Sequence, residues 1–320
     1  MGITNNVSEL SDELERARVA WLYFVGGQTQ QEIAERMSIT RLKVNRIIGQ
    51  LRGSGSVQIS VNLPLSDCIA LSEKVSLRYG LVETVVVPDL EDYLEQKRVI
   101  GEAAGIAASP LIHEHDMGVG IGSGRTLSFA VRALRARPRQ ESWVVGLTGG
   151  VTSGSVTNTF EVATAFARHL GVECHYLTAP IYCANPESRN AVLLNEELTD
   201  VLARTEIADI GLVSCGSFTQ ETSLTKIRVV KDNLDALLRL GAVGEFMGCI
   251  LDAYGQPIDH FLNESTIALP PDKLKLKPVS MLVSGGLGKI PIIRAILRAG
   301  YVNRLVTNEA VAHALLQGPR

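Results

Sequence analysis

Two glycine-rich stretches hold the residues best suited to chemistry. In "VGIGSGRT" an apolar run ends in Gly122, Ser123, Gly124, Arg125 and Thr126, and in "LVSGGLGK" another ends in glycines and Lys289. Glycines let backbone N–H groups approach an anion closely, a following helix adds its positive end, and a lysine in the first turn adds a full charge. That combination suits phosphate. Three further apolar runs end in small or hydroxylic residues: Thr148-Gly149-Gly150, Ser214-Cys215-Gly216 and Thr307-Asn308-Glu309. A single Gly-x-Gly fits a tight strand-to-helix turn equally well, but five such ends together point to an anionic or polyhydroxy ligand. "GIGSGRT" lacks the dinucleotide spacing and no Gly-Lys-Ser/Thr follows it, so NAD and ATP sites are not expected.

Asp252, in "CILDAYGQP", has two readings: a carboxylate facing the ligand, or the first residue of the turn "DAYG". Glu245 and His260 are further titratable groups. No nucleophile, base and orienting group stand out as a set. His113 and His115 would share one face of a strand, yet no third ligand accompanies them, so no metal is expected. The 5 cysteines are scattered, with no CxxC pair, and read as buried thiols. No cofactor is implied.

Short apolar runs at 83–87, 117–121, 143–147, 172–177, 209–214, 279–283 and 303–306 read as strands. Helical patterns at 93–107, 126–136, 159–170, 188–206, 230–240, 289–299 and 308–317 alternate with them. This α/β alternation predicts a doubly wound, mostly parallel sheet covered on both faces, with ligands at the carboxyl ends of its strands. With 46% apolar and 20% charged residues, a sizeable core is expected. No long uncharged apolar run appears, and the polar start suggests a soluble cytoplasmic protein without membrane contact.

The first sixty residues differ. Residues 12–25 form one helical pattern, with Leu14, Ala17, Val19, Ala20 and 22–25 on its apolar side, ended by Gly26-Gly27. Thr29 and Glu32 make a capping box, "MSIT" supplies a turn, and Thr40 caps a second helix with Val44, Ile47, Ile48 and Leu51 inside. A short helix, a tight turn and a second helix make a helix-turn-helix. The net charge of −3 excludes a uniformly basic surface, but Arg36, Arg41, Lys43, Arg46 and Arg52 lie together with no acidic residue between 36 and 52. The second helix of such a motif enters the major groove, which makes Thr40, Arg41, Lys43, Asn45 and Arg46 candidate DNA contacts, Lys43 to phosphate. A small bundle with a solvated basic face is the plainer alternative. Residues 53–62 read as a turn and strand beside the DNA. The domains expected are 1–62 for DNA, a linker helix at 63–80, and 81–320 for effector binding and assembly.

The motifs "TQQEIAERMSITRLKVNRII", "GVGIGSGRTL", "VVGLTGG", "NPESRNAVLL", "GAVGEFMGCILDAYGQPI", "LVSGGLGKIPIIRAIL" and "LVTNEAVAHALL" occur in an order that resembles the SorC-type (SorC/DeoR) bacterial transcriptional regulators. The resemblance runs from about residue 15 to the C-terminus. It implies a helix-turn-helix joined to a sugar-binding domain related in fold to sugar-phosphate isomerases and deaminases, acting without turnover. It further implies a dimer or tetramer whose binding to operator DNA responds to a phosphorylated sugar or polyol. Carried over by position, the effector site would comprise Gly122, Ser123, Gly124, Arg125, Thr126, Thr148, Gly149, Gly150, Asp252 and Lys289. Lys289 would hold phosphate and Asp252 would accept sugar hydroxyls. Ser123 replaces a bulkier residue, Gly288 an acidic one and Asn308 a frequent Asp, which bears on effector identity. The sequence therefore reads as a repressor of a carbohydrate or polyol operon, with resemblance to erythritol regulators. An isomerase-like enzyme with a helical appendage, and a DNA-binding protein whose large domain only oligomerises, are the alternatives.

Overall fold

The computed structural model describes residues 3–53, 66–112, 117–139, 141–151, 158–218 and 227–318, with backbone alone for 3–11, 52 and 53. The strand expected to end at 62 and the His113/His115 pair lie outside the described residues. The chain divides into two compact units, Met1–Leu63 and Pro64–Arg320.

In the first unit, α1 (Ile3–Ala20) runs into a π-helical turn, Trp21–Val25, and stops at Gly26-Gly27. Gly27 has φ +64°, a conformation that favours glycine. Helix α2 (Gln30–Met37) opens with the expected capping box: the Thr29 hydroxyl accepts from the Glu32 N–H, and the Glu32 carboxylate accepts from the Thr29 N–H at 2.7 Å. Ser38, left-handed at φ +54°, ends it. Two residues later the Thr40 hydroxyl accepts from the Lys43 N–H and starts α3 (Arg41–Gly53). Val19, Leu22, Ile33, Val44, Ile47, Ile48 and Leu51 form the core that fixes the three helices. The apolar stripe of α1 is narrower than its sequence suggests, because Leu14 and Ala17 are exposed.

The second unit opens with α4 (Ser66–Tyr79). Next come β1 (Glu83–Val87), α5 (Tyr93–Ala108), β2 (Gly118–Ile121), α6 (Arg125–Ala133), β3 (Trp143–Gly146), α7 (Thr159–Leu170) and β4 (Glu173–His175). They are followed by α8 (Pro186–Val192), α9 (Glu196–Ile207), β5 (Ile210–Val213), β6 (Cys215–Ser217), α10 (Arg228–Arg239), β7 (Ala242–Phe246) and β8 (Cys249–Asp252). The chain closes with α11 (Phe261–Glu264), α12 (Pro271–Lys275), β9 (Val279–Val283), a 3-10 turn at Leu287–Lys289, α13 (Ile290–Ala299), β10 (Arg304–Asn308) and α14 (Glu309–Leu316).

Among the described residues, seven parallel strands lie in the order β1-β10-β9-β5-β2-β3-β4. Their side chains alternate between two cores. Val86, Val145, Leu282 and Leu305 face one that includes residues of α4, α13 and α14. Val87, Val144, Val283 and Val306 face another that includes residues of α5, α6 and α7. The period of two along each strand and helices on both faces make the doubly wound α/β fold. Cys68, Leu71 and Val75 of α4 belong to the first of these cores, so the segment read as a connecting helix is built into the large unit.

Two departures from the sequence pattern have local causes. The helix expected over 188–206 is broken into α8 and α9, because the Asn195 side chain accepts from the Leu198 N–H and caps a new start. The run at 209–214 passes directly into a second sheet, antiparallel in the order β6-β7-β8, where strands of three to five residues give too little alternation to read.

Chain order explains where a ligand fits. From β2 the chain moves outward to β3 and β4, then returns to the other side of β2 at β5 and proceeds to β9 and β10. The sheet therefore reverses direction between β2 and β5, and the crevice beyond their carboxyl ends is the topological switch point.

Candidate functional site

The loop after β2 is held by its neighbour strand. Gly122 N–H donates to the Leu212 carbonyl at 2.9 Å, and the Ser214 hydroxyl donates to the Ser123 carbonyl at 2.6 Å. Gly124, at φ +118°, stands so close to Ser214 that a Cβ would meet its Oγ at 2.6 Å. Gly124 is also the N-cap of α6 and supplies no side-chain cap, so the first turn, with Arg125 exposed and Thr126 buried, presents the positive helix end.

The loop after β9 is fixed from two sides. Gly286 N–H donates to Asn308 Oδ1 at 3.0 Å, and Asn308 Nδ2 donates to Asp89 Oδ1 at 2.6 Å. An aspartate at 308 could not make the second bond, so the amide suits the carboxylate it faces. Lys289 ends the 3-10 turn and donates to the Cys215 carbonyl at 2.7 Å, which places its ammonium at the start of β6. The Cys215 thiol donates to Ser284 Oγ at 3.2 Å, and burial pushes it up, which keeps it an unreactive thiol.

Two groups join this site that the glycine motifs did not single out. Lys97, on the second turn of α5, lies 3.8 Å above the Tyr93 ring, and Tyr93 in turn stands 3.4 Å from where a Gly286 Cβ would be. Burial, then the charges of Lys289 and Arg125, hold the Lys97 ammonium down to about 8. Arg125 of α6 and Lys289 of the turn before α13 thus both act on the Lys97 ammonium of α5. The signal in the sequence was a basic residue in the opening turns of a helix that follows a strand.

Glu245 is the second. On β7 it pairs with Gly216 and Ile250, and its Oε1 occupies the space a Gly216 side chain would need. Its carboxylate accepts from the Gly248 N–H at 3.1 Å. Burial pushes this carboxyl up to about 7, opposed by that hydrogen bond and by Lys289. Its carboxylate is thus close enough to Lys289 to feel that charge.

Of the two readings of Asp252, its geometry supports the turn. Its Oδ1 accepts from the Tyr254 and Gln256 N–H groups, both at 2.8 Å, which is the turn reading. The same turn packs Gly255 on Ala295 and Ala299, roughly 9 to 15 Å along α13 from Lys289 at about 1.5 Å per residue. Gly149 and Gly150 are also occupied: their N–H groups donate to the Ile267 and Ala179 carbonyls, and a Cβ would meet Ala179 or Phe160. These two glycines allow close packing. Thr148 Oγ1 lies 2.6 Å from Thr159 Oγ1 at the start of α7. No cluster of potential metal ligands occurs among the described residues.

In the first unit the exposed arc of α3 carries Arg41, Asn45 and Arg46. Asn45 Oδ1 accepts from Gln30 Nε2 at 3.4 Å, which links the two helices of the motif. Lys43 is placed differently from the expected phosphate clamp: its ammonium lies 2.6 Å from Glu15 Oε1 on α1. The Thr40 hydroxyl serves as the cap of α3. No helix among the described residues is long and apolar enough to cross a membrane.

Comparison with known proteins agrees with this architecture. Residues 63–317 match the family described as "Putative sugar-binding domain". The erythritol catabolism regulatory protein EryD of Brucella abortus is 29% identical over 311 residues, spanning 97% of this chain and 98% of its own. The transcriptional regulator LsrR of Escherichia coli K12 is 28% identical over 312 residues, 96% of each chain. Among solved structures, the full-length sorbitol operon regulator SorC of Klebsiella pneumoniae superposes with a TM-score of 0.74 at 24% identity, over 96% of this chain and all of that one. With the match extending over the whole α/β unit, the chain belongs to this sugar-binding domain family, whose fold it shares with the SorC-type regulators.

Proposed function

We propose that this chain is a DNA-binding transcriptional regulator whose large unit binds a phosphorylated sugar or polyol beyond the carboxyl ends of β2, β5 and β9. The observation that carries the reading is that Lys289, held on the Cys215 carbonyl just beyond β5, and Arg125, in the first turn after β2, both act on the charge of Lys97. A phosphate there meets three cations and the uncapped start of α6. Gly122, Ser123, Gly124 and Thr126 shape the wall toward β2, and Glu245, in place of Asp252, accepts the hydroxyls of the sugar end. The helix α3 enters the major groove with Arg41, Asn45 and Arg46 toward base edges and phosphates. Thr40 positions that helix through its cap.

The regulator works in the cytoplasm as a dimer or tetramer, since paired reading helices compensate for the modest affinity of one small motif. Effector binding alters the spacing of those helices and releases the operator of a carbohydrate or sugar-alcohol operon, which makes it a repressor. The names of the EryD and SorC relatives favour a polyol over a nucleotide or amino acid.

A thermal-shift screen with matched phosphorylated and unphosphorylated sugars and polyols tests the pocket. A ligand present at a hundred times its dissociation constant adds about 2.7 kcal/mol to the folded state. The expected result is a shift with a phosphorylated compound that Lys289→Ala abolishes. Shifts with unphosphorylated polyols alone would overturn the phosphate assignment, and turnover of the compound would overturn the regulator reading.

A further inference from the structure

The centre of the exposed face of α3 is not basic. At 100° per residue, Val44, Ile47, Ile48 and Leu51 fill the buried side, and Arg41, Leu42, Asn45, Arg46, Gly49 and Gln50 share the other. Arg41 and Asn45 take one margin of that arc and Arg46 and Gln50 take the other. Leu42 and Gly49, seven residues apart and so within about 20° of each other, lie along its middle. Leu42 is 79% exposed, more than any other large apolar side chain described in this unit. A Cβ on Gly49 would meet nothing within 4 Å, so the helix backbone is bare along the same line. Lys43, with the Glu15 carboxylate on its ammonium, turns toward α1 and leaves the arc to Arg41 and Arg46.

An apolar knob flanked by arginines, with an accessible backbone two turns further on, matches a surface that is negative at its rims and carries isolated apolar groups on its floor. The major groove has that character: phosphates on either side, and the thymine C5-methyl as its apolar feature. The missing side chain at Gly49 lets α3 approach closely enough for a side chain as short as leucine to reach the base edge.

We infer that Leu42 reads a thymine in each half-site through its C5-methyl group, between the polar contacts of Arg41 and Arg46. The inference rests on the DNA-binding reading of α3 and adds to it a base and a chemical group. A protein surface seated on Leu42 is the competing occupant, and the experiment separates the two.

The test selects an operator from random duplexes with the full-length protein, then replaces its thymines one at a time by deoxyuridine, which lacks only the methyl group. One thymine per half-site is expected to lose about three- to fivefold in affinity on replacement, the worth of one buried methyl. Leu42→Ala is expected to bind the thymine and deoxyuridine duplexes equally. Leu42 is exposed, so this variant folds, and circular dichroism with an unchanged Arg41-dependent preference verifies that it does. Specific binding by the wild type with no penalty at any deoxyuridine overturns the inference alone, as does an undiminished penalty in Leu42→Ala. Loss of self-association in Leu42→Ala with no methyl dependence would assign the residue to a protein contact and overturn it too. Failure to select any sequence defeats the DNA-binding reading and this inference together.

Discussion

Replacing Glu245 by glutamine tests the buried carboxyl without changing its shape. In the folded chain this group is pushed from 4.5 up to about 7, with desolvation outweighing the Gly248 hydrogen bond and the Lys289 charge. That displacement corresponds to about 3 kcal/mol between the two protonation states. The sign follows from proton counting. Between pH 4.5 and 7 the folded chain keeps a proton on Glu245 that the unfolded chain has released, so raising the pH through this window costs the wild type stability. The amide introduced by Glu245→Gln does not titrate and carries no such cost. The advantage of Glu245→Gln over wild type should therefore grow by most of that difference, about 3 kcal/mol, from about pH 5 to 8 and level off above. Tyr182, Cys215 and Cys249 also lie near this carboxyl, but burial pushes each of them upward, away from the window. Chemical denaturation of both proteins in matched buffers measures the difference. A difference that stays flat across this range would refute the argument that burial dominates at Glu245.

Other perturbations test the loops and the reading helix. Asn308→Asp sets a carboxylate against Asp89 and should cost about 2–3 kcal/mol, the scale for a buried polar group that loses its partner; adding Asp89→Asn should recover most of it, as read by denaturation midpoints. Arg41→Ala should relax preference at one operator position at a cost of about 1–3 kcal/mol, measured by binding to single-base variants. Lys43→Ala, by contrast, should change the salt dependence of DNA binding little, since its ammonium already rests on Glu15; a slope lowered by about one would return it to the phosphate contacts.

The fold was legible where repetition is strong. Short apolar runs in β1, β3, β9 and β10 and the helical patterns between them announce a parallel sheet covered on both faces, and a parallel sheet locates the ligand. The capping box at Thr29 and the cap at Thr40 marked the helix-turn-helix because side-chain caps are local. What escaped was non-local. Glycines after β2 and β3 look alike in sequence, yet Gly122 and Gly124 lie against Leu212, Val213 and Ser214 at the end of β5, whereas Gly149 and Gly150 let Ala179 and Phe160 pack closely. Asp252 and Glu245 are both carboxylates near short strands. Only the antiparallel return of β7 onto β6 brings Glu245 to Lys289, and the register of β8 carries Asp252 away to pair with Ala242. Lys97 sits in an otherwise ordinary amphipathic helix, and its place in the site depends on the packing of α5 beside the turn that precedes α13.

If the proposed site holds a phosphate, Lys97 sets the pH range of binding. Its ammonium, held down to about 8 by burial and by Lys289 and Arg125, is partly deprotonated in mildly alkaline solution when no ligand is present. A bound phosphate supplies the opposite charge and pulls the group back to its charged form, so above about pH 8 binding takes up a proton. The association constant should then fall with rising pH, by up to about tenfold per unit. At lower pH this dependence ends, and the protonation of Glu245 at about 7 and the ligand's own second ionisation at about pH 6 take over. Lys97→Met keeps an unbranched stem over Tyr93 and removes the charge. It should weaken binding at neutral pH and abolish the alkaline decline. Calorimetric titrations at about pH 8.5, in buffers of different ionisation enthalpy, count the proton directly: the wild type should take up at most about three quarters of a proton, and the variant should take up less. Equal uptake by the two would remove Lys97 from the phosphate site and leave Lys289 and the start of α6 to hold the ligand alone.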